Sequence, residues 1–119
     1  MQLKRFTKSE SGSSWNGGYS SFGRMMSSSS KNSEVIDFPL EGLDMGQYLL
    51  DKEEGKEYLY DCYAISNHSG SLAGGHYVAH CKNSLDGKWY YFNDSSCGPC
   101  SKTELISNTA YVLFYRLRE

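Results

Sequence analysis

Two strand-like segments joined by a tight turn lie in the C-terminal half of this chain. Residues 88–93 include four consecutive aromatic side chains, residues 75–82 include Tyr77 and Val78, and the linker NSLDG between the two segments contains Asp86-Gly87. That dipeptide favours the turn of a β-hairpin. Because an isolated hairpin is marginally stable in water, it requires further strands beside it. The sequence therefore predicts an antiparallel sheet.

The rest of the chain supplies further strands and two short helices. We expect four more strands, at 2–6, 34–38, 58–67 and 109–116. The last two are apolar on both faces, which is typical of central strands. Short helices are expected at 42–50, with Asp44 as N-cap, and after Ser101, which matches a capping box with Glu104. The predicted fold class is α+β, an antiparallel β-sheet with short helices.

Residues 7–33 interrupt this order. They are dominated by Ser, Gly and Asn and include four consecutive serines at 27–30. Such a segment has too few apolar side chains to offset the entropy lost on ordering. We interpret it as a flexible Ser/Gly-rich insertion within a single domain that spans residues 1–119.

Composition excludes several classes of partner. A formal net charge of −2 provides no basic field for nucleic acid or for an anionic membrane. The sequence has no apolar run of bilayer length and no apolar region of a signal peptide. We therefore expect a soluble protein of the cytoplasm or nucleus, with reduced thiols and neither nucleic acid nor membrane as a partner.

His76 and Asn93 are the first candidate site residues. They are equidistant from a hairpin tip at Ser84-Leu85, so we expect their side chains to be neighbours. An amide oxygen that holds one ring N–H of an imidazole leaves the other nitrogen to take a proton from a thiol. Spacing alone leaves two interpretations open, a catalytic pair and a pair of structural groups that satisfy each other.

Longer stretches of the chain share their order of motifs with one enzyme family. They are YAISNHSGSLAGGHYVAHCKN, then DGKWYYFNDSS and AYVLFYR, preceded by LKRF and VIDFPLEGLDM. This pattern closely resembles the histidine box of ubiquitin-specific proteases, which are papain-like cysteine proteases that remove ubiquitin. The resemblance covers nearly everything except the Ser-rich insertion. It implies that the chain is the C-terminal, histidine-box half of such a catalytic domain.

The resemblance implies two groups of site residues. The catalytic group is His76 as general base, Asn93 as its orienting residue and Asp94 as an acidic residue that supports catalysis in some members. The second group lines a narrow channel for the Gly-Gly tail of ubiquitin and consists of His68, Gly74, Gly75 and Tyr77. Residues His68 to Gly75 are expected to be a small-residue loop, and its part from His68 to Ala73 would be mobile and gate this channel.

The implied activity is deubiquitination, the thiol-dependent hydrolysis of the bond after the C-terminal glycine of ubiquitin. Its partners would be ubiquitin and ubiquitinated proteins, and no cofactor is implied. The family's cysteine box does not occur in this sequence. We therefore expect the nucleophile on an N-terminal half of the domain outside this sequence, and the chain alone to be inactive. A catalytically inactive ubiquitin-binding or regulatory remnant is the alternative.

None of the four cysteines matches the nucleophile. Alternation predicts Cys81 on the face opposite His76, and Cys62 lies mid-strand. Cys97 and Cys100 form the Cys-Gly-Pro-Cys motif of thioredoxins, which is also half of a zinc site. A thioredoxin fold needs a βαβ context, and zinc needs two further ligands, so we predict no metal here. The family resemblance implies instead that this segment is an exposed turn after Asp94. Reversible oxidation of this pair is a third hypothesis.

Overall fold

The computed structural model describes residues 1–8 and 29–119. The described residues contain eight strands: β1 (Phe6–Lys8), β2 (Ser29–Lys31), β3 (Leu43–Asp44), β4 (Leu59–Gly70), β5 (Gly75–Lys82), β6 (Trp89–Asn93), β7 (Ser96–Pro99) and β8 (Ala110–Leu117). Two 3-10 helices of one turn each span Gly46–Tyr48 and Lys102–Glu104. No helix in this part of the chain is long and apolar enough to cross a membrane.

Strand β4 is the centre of a six-stranded antiparallel sheet. It pairs with β3, β5 and β8, and the sheet continues from β5 through β6 to β7. The N-terminal segment adds to β8, because Gln2 bridges Val112 and the backbone N–H of Leu3 donates to the Tyr111 carbonyl at 2.8 Å. The predicted antiparallel sheet and its central strand are thereby confirmed.

The hydrophobic core lies on one face of this sheet. Its buried members are Phe38, Cys62, Ile65, Trp89, Leu105, Ala110 and Leu113. Ile65 pairs directly with His80 on β5 and with Leu113 on β8, and directly paired residues share a face. The core therefore lies on the same face as His80.

Two predicted helices and two predicted strands differ from the structure. Residues 2–6 form an isolated bridge at Gln2 and reach strand β1 only at Phe6. Residues 42–50 contain β3 and a 3-10 turn instead of an α-helix, since the Asp44 carboxylate accepts from the Gly46 N–H at 2.8 Å and closes a tight turn. Ser101 and Glu104 form the predicted capping box, but the helix is a single 3-10 turn. Residues 34–38 are not a strand; Phe38 instead anchors this segment in the core. The α component of the predicted class is thus limited to 3-10 turns in the described ranges.

The β5–β6 hairpin has a different register from the predicted one. Ala79 pairs with Phe92 and His80 with Tyr91, so the tip lies one position further along the chain, and each residue of β5 pairs two positions further along β6 than predicted. The turn is closed by the Asn83 N–H, which donates to the Lys88 carbonyl at 2.9 Å. Because side chains alternate with a period of two, a shift of two residues leaves every side chain on its predicted face.

Strands β1 and β2 form a separate antiparallel pair, with Phe6 opposite Lys31. They lie at the two ends of the predicted insertion, whose central residues 9–28 are outside the described ranges. The predicted insertion bounds of 7–33 therefore include strand residues at both ends. The pair brings Phe6 and Lys31 against His68 of the larger sheet.

Candidate active site

His76 and Asn93 are in direct hydrogen-bond contact. The Nε2 of His76 lies 2.7 Å from the Oδ1 of Asn93, which confirms the predicted proximity. In the observed register the two residues are diagonal neighbours on adjacent strands, a separation that longer side chains span. An amide oxygen only accepts hydrogen bonds, so His76 donates from Nε2. Its Nδ1 is then the ring nitrogen that can accept a proton.

Tyr91 orients the amide of Asn93. The Asn93 Nδ2 donates to the Tyr91 hydroxyl across 3.4 Å, a long contact that favours the amide orientation in which Oδ1 faces His76. The Tyr91 ring lies 5.1 Å from that of His80. Sequence reasoning assigned Tyr91 no role, although alternation along β6 places it on the same face as Asn93.

A second histidine–amide pair lies deeper on the same face. The Nδ1 of His80 is 2.7 Å from the Oδ1 of Asn67, and the Asn67 Nδ2 donates to the Thr109 hydroxyl at 3.2 Å. Both members of the pair are buried. Burial lowers the pKa of His80 below its ordinary value, and nearby Glu104 opposes that effect. His80 is thus a neutral donor within a satisfied network, and sequence reasoning missed it.

The two pairs line one open cavity of about 310 Å³. Tyr91, Glu104 and the hydroxyls of Ser69, Ser107 and Thr109 complete its polar lining. All four cysteines are among the described residues, and none of them lines this cavity. The cavity therefore combines two histidine–amide pairs and further polar groups without a thiol.

Asp94 lies beside the pair, at the turn that joins β6 to β7. Asn93 pairs with Ser96, so Asp94 is the first of two linking residues. Its φ of 49° is in the left-handed region. Simple alternation of faces therefore does not apply at Asp94, and its supporting role stays a prediction.

The four residues predicted to line the channel lie at the β4–β5 end of the sheet. His68 pairs with Tyr77 across the two strands, with their rings 4.7 Å apart. The predicted loop from His68 to Gly75 is wrong in its bounds, because β4 extends to Gly70 and β5 starts at Gly75. His68 is inside a strand and only 4% exposed. Its role toward a substrate stays a prediction.

The two glycines of the predicted channel have different surroundings. A Cβ atom at Gly75 would overlap the Nε2 of His68 and lie 2.7 Å from the Ser69 carbonyl oxygen. At Gly74 a Cβ would meet no atom within 4 Å. Of these two positions, packing within the chain therefore requires glycine at 75 and tolerates a side chain at 74.

The Cys-Gly-Pro-Cys segment is strand β7 and its continuation, and not the predicted turn. Three residues of extended chain separate Cys97 from Cys100 by about 10 Å, whereas a disulfide needs Cα atoms within about 7 Å. This geometry counts against the redox hypothesis. Burial raises the pKa of the Cys62, Cys81 and Cys100 thiols, which disfavours the nucleophilic thiolate. Within the described residues no group of His, Cys, Asp or Glu is arranged to hold a metal.

Solved structures share the antiparallel-sheet architecture of this chain. The SAGA Ubp8/Sgf11/Sus1/Sgf73 DUB module bound to ubiquitin aldehyde matches with a TM-score of 0.76 and 33% identity, over 99% of this chain and 24% of that chain. A variant of that module bound to monoubiquitin matches with a TM-score of 0.73 and 32% identity, over 99% of this chain and 22% of that one. Both similarities extend over nearly all of this sequence.

Comparison with known sequences gives the family. Ubiquitin carboxyl-terminal hydrolase 4 of Mus musculus is 45% identical over 85 residues, which are 71% of this chain and 9% of that protein. Ubiquitin carboxyl-terminal hydrolase 15 of Homo sapiens is 46% identical over 85 residues, with the same shares. The chain thus spans about a tenth of the length of these relatives. The family model described as "Ubiquitin carboxyl-terminal hydrolase" matches residues 1–115, and the chain belongs to this family of cysteine-type ubiquitin hydrolases.

Proposed function

We propose that this chain supplies the general base, His76, and its orienting residue, Asn93, to a cysteine-type deubiquitinase. The observation that carries the proposal is the 2.7 Å contact between His76 Nε2 and Asn93 Oδ1, which leaves Nδ1 able to accept a proton. Membership of the family supplies the reaction, hydrolysis of the bond after the C-terminal glycine of ubiquitin.

In the proposed reaction His76 moves one proton in each half. Nδ1 takes the proton of a cysteine thiol, and the thiolate attacks the carbonyl carbon of ubiquitin's last glycine. The imidazolium then gives that proton to the leaving amine as the C–N bond breaks, which forms a thioester. Water hydrolyses the thioester with Nδ1 as base, and the returned proton regenerates the thiol. Asn93 keeps the ring plane fixed throughout.

The nucleophile in this proposal lies on a segment outside this sequence. Cys62 is buried in the core, and Cys81 is on the opposite face of β5 from His76. The short share of each relative that the chain covers leaves ample sequence for such a segment. The open cavity beside His76 has room for a thiol from it.

We further propose that Gly74, Gly75, Tyr77 and His68 border the path of ubiquitin's Gly-Gly tail. They lie at the same end of β5 as His76, and the related DUB modules were solved with ubiquitin aldehyde and with monoubiquitin. Ubiquitin and ubiquitinated proteins are the proposed partners. Reduced thiols in all four cysteines are consistent with a cytoplasmic or nuclear location.

The test is covalent labelling of the longer gene product by ubiquitin that carries a thiol-reactive C-terminal electrophile. The wild type is expected to be labelled, and the His76→Ala variant to lose labelling because the thiol is no longer deprotonated. Asn83→Ala, on the same hairpin at its far end, is the control. Equal labelling of the His76→Ala variant would overturn the proposal.

A second candidate is a ubiquitin-binding or regulatory remnant without activity. The observation that favours it is the cavity beside His76, which no cysteine of the chain lines. Titration of labelled ubiquitin with the 119-residue chain separates the two candidates. Saturable binding combined with unlabelled longer protein would support the remnant, whereas labelling of the longer protein would exclude it.

A further inference from the structure

Three aromatic rings pack around the His68 side chain. Its ring centroid is 4.7 Å from that of Tyr77, 5.6 Å from that of Phe6 and 5.8 Å from that of Tyr111. The main chain of Gly75 approaches its Nε2 so closely that no side chain fits there. These contacts leave Nδ1 as the ring nitrogen that meets a polar partner.

That partner is Lys31, the last residue of β2. Its Nζ lies 3.3 Å from the His68 Nδ1 and 2.9 Å from the His68 carbonyl oxygen. An ammonium group has donors and no acceptor, so Nδ1 must present its lone pair and the ring proton must be on Nε2. Burial and the positive charge of Lys31 both lower the pKa of His68, which favours the neutral ring.

Lys31 reaches His68 through the β1–β2 pair. Phe6 lies opposite Lys31 in that pair, and the Lys31 Nζ is 5.9 Å from the centroid of the Phe6 ring. Both side chains contact His68, one through an edge-to-face ring contact and the other through hydrogen bonds. A residue from outside the main sheet therefore sets the protonation of a residue inside it.

We propose that Lys31 is a positioning residue of the site: it fixes His68 as the Nε2–H tautomer beneath Gly75, the residue that precedes His76. The ring then presents a donor toward the Gly75 end of β5. Such a donor suits the carbonyl oxygens of an extended peptide that passes this strand end. The inference rests on the proposed function for its substrate, the C-terminal tail of ubiquitin. Its structural part, that Lys31 fixes the tautomer of His68, does not depend on activity.

Ring-nitrogen NMR of the ¹⁵N-labelled 119-residue chain tests the structural part. In the wild type at neutral pH, we expect His68 Nδ1 at the shift of an unprotonated nitrogen and Nε2 at that of a protonated one. Lys31→Met should give a mixture of tautomers, while Lys31→Arg, which keeps charged donors, should retain the single form. The exposed Lys88→Met is the matched control. A protonated Nδ1 in the wild type, or an unchanged tautomer in the Lys31→Met variant, would overturn the proposal.

Kinetics of the longer gene product test the functional part. Lys31→Met should raise KM for a ubiquitin substrate by about two- to tenfold, the loss expected for one hydrogen bond from a neutral imidazole, with kcat little changed. Lys31→Arg should restore most of the affinity. An unchanged KM in Lys31→Met would refute the role of Lys31. If the wild-type longer protein shows no turnover, the proposed function fails, while the ring-nitrogen spectrum still decides whether Lys31 positions His68.

Discussion

His80 and Asn67 are joined by a buried hydrogen bond of 2.7 Å between Nδ1 and Oδ1. Their strands are adjacent, and the face they share also carries the exposed pair His76 and Asn93. The two side chains are buried, so neither can replace its partner with water, and an unpaired state would be costly. The hydrogen bond therefore holds β4 and β5 in their relative positions. It therefore supports the sheet on which the candidate base is held.

The Asn67→Leu variant tests this support. It leaves the His80 N–H without its acceptor inside the sheet, so the free energy of unfolding should fall by about 1–3 kcal/mol. Adding His80→Phe should recover part of that loss, because both polar partners are then replaced by apolar groups. Urea denaturation measures both changes. Exposed Asn108→Leu is the control, and equal stability of Asn67→Leu and the wild type would refute the role.

The pH dependence of stability should reflect His80. Its folded pKa is lowered, chiefly by burial, relative to an unfolded value near 6.5, so the unfolded chain binds more protons across the interval between them. Stability should be full above about pH 6.5 and should fall as the pH drops toward the folded pKa. His68, whose pKa is also lowered, adds to this slope. Urea denaturation at several pH values should give a flatter profile for His80→Phe than for the wild type; parallel profiles would contradict the assignment.

Gly75 and Gly74 provide a matched pair of substitutions. Gly75→Ala should destabilise the fold by about 1–3 kcal/mol, because the new methyl group overlaps His68. Gly74→Ala should change stability by less than about 0.5 kcal/mol, since its Cβ would enter open space. Thermal denaturation compares the two variants. Equal effects would show that the approach of His68 to Gly75 is not as described.

Tyr91 should influence turnover through Asn93. In the longer gene product, Tyr91→Phe removes the acceptor for the Asn93 amide, which allows the amide to turn away from His76. We expect kcat to fall by about two- to fivefold, the loss suited to a long hydrogen bond. In an Asn93→Asp background the effect should shrink, because a carboxylate presents an oxygen in either orientation. An equal loss in both backgrounds would indicate a role unrelated to amide orientation.

Much of the sheet was predictable because strand character is local. Residues 75–82 were predicted with the observed bounds of β5, since a glycine and a turn mark their two ends. The register between β5 and β6 was not predicted correctly, because the turn is closed by a hydrogen bond between Asn83 and Lys88 and not by a two-residue loop. Strand β7 was missed because the family resemblance implied an exposed turn at this segment.

The candidate site was predictable where one hairpin contains it. His76 and Asn93 lie on consecutive strands, so spacing and alternation were sufficient to bring them together. His80 and Asn67 lie on strands joined by a longer connection, and their pairing depends on the register of β4 with β5. Lys31 reaches His68 from a separate strand pair, and no local pattern indicates such a contact.

We propose that His76, held by Asn93, is the base of a cysteine deubiquitinase. Steady-state hydrolysis of a ubiquitin substrate by the longer gene product measures whether turnover depends on this pair. His76→Ala should abolish turnover, and Asn93→Ala should reduce kcat less severely, because a misoriented imidazole still accepts protons. Turnover by the His76→Ala variant at the wild-type rate would contradict the claim.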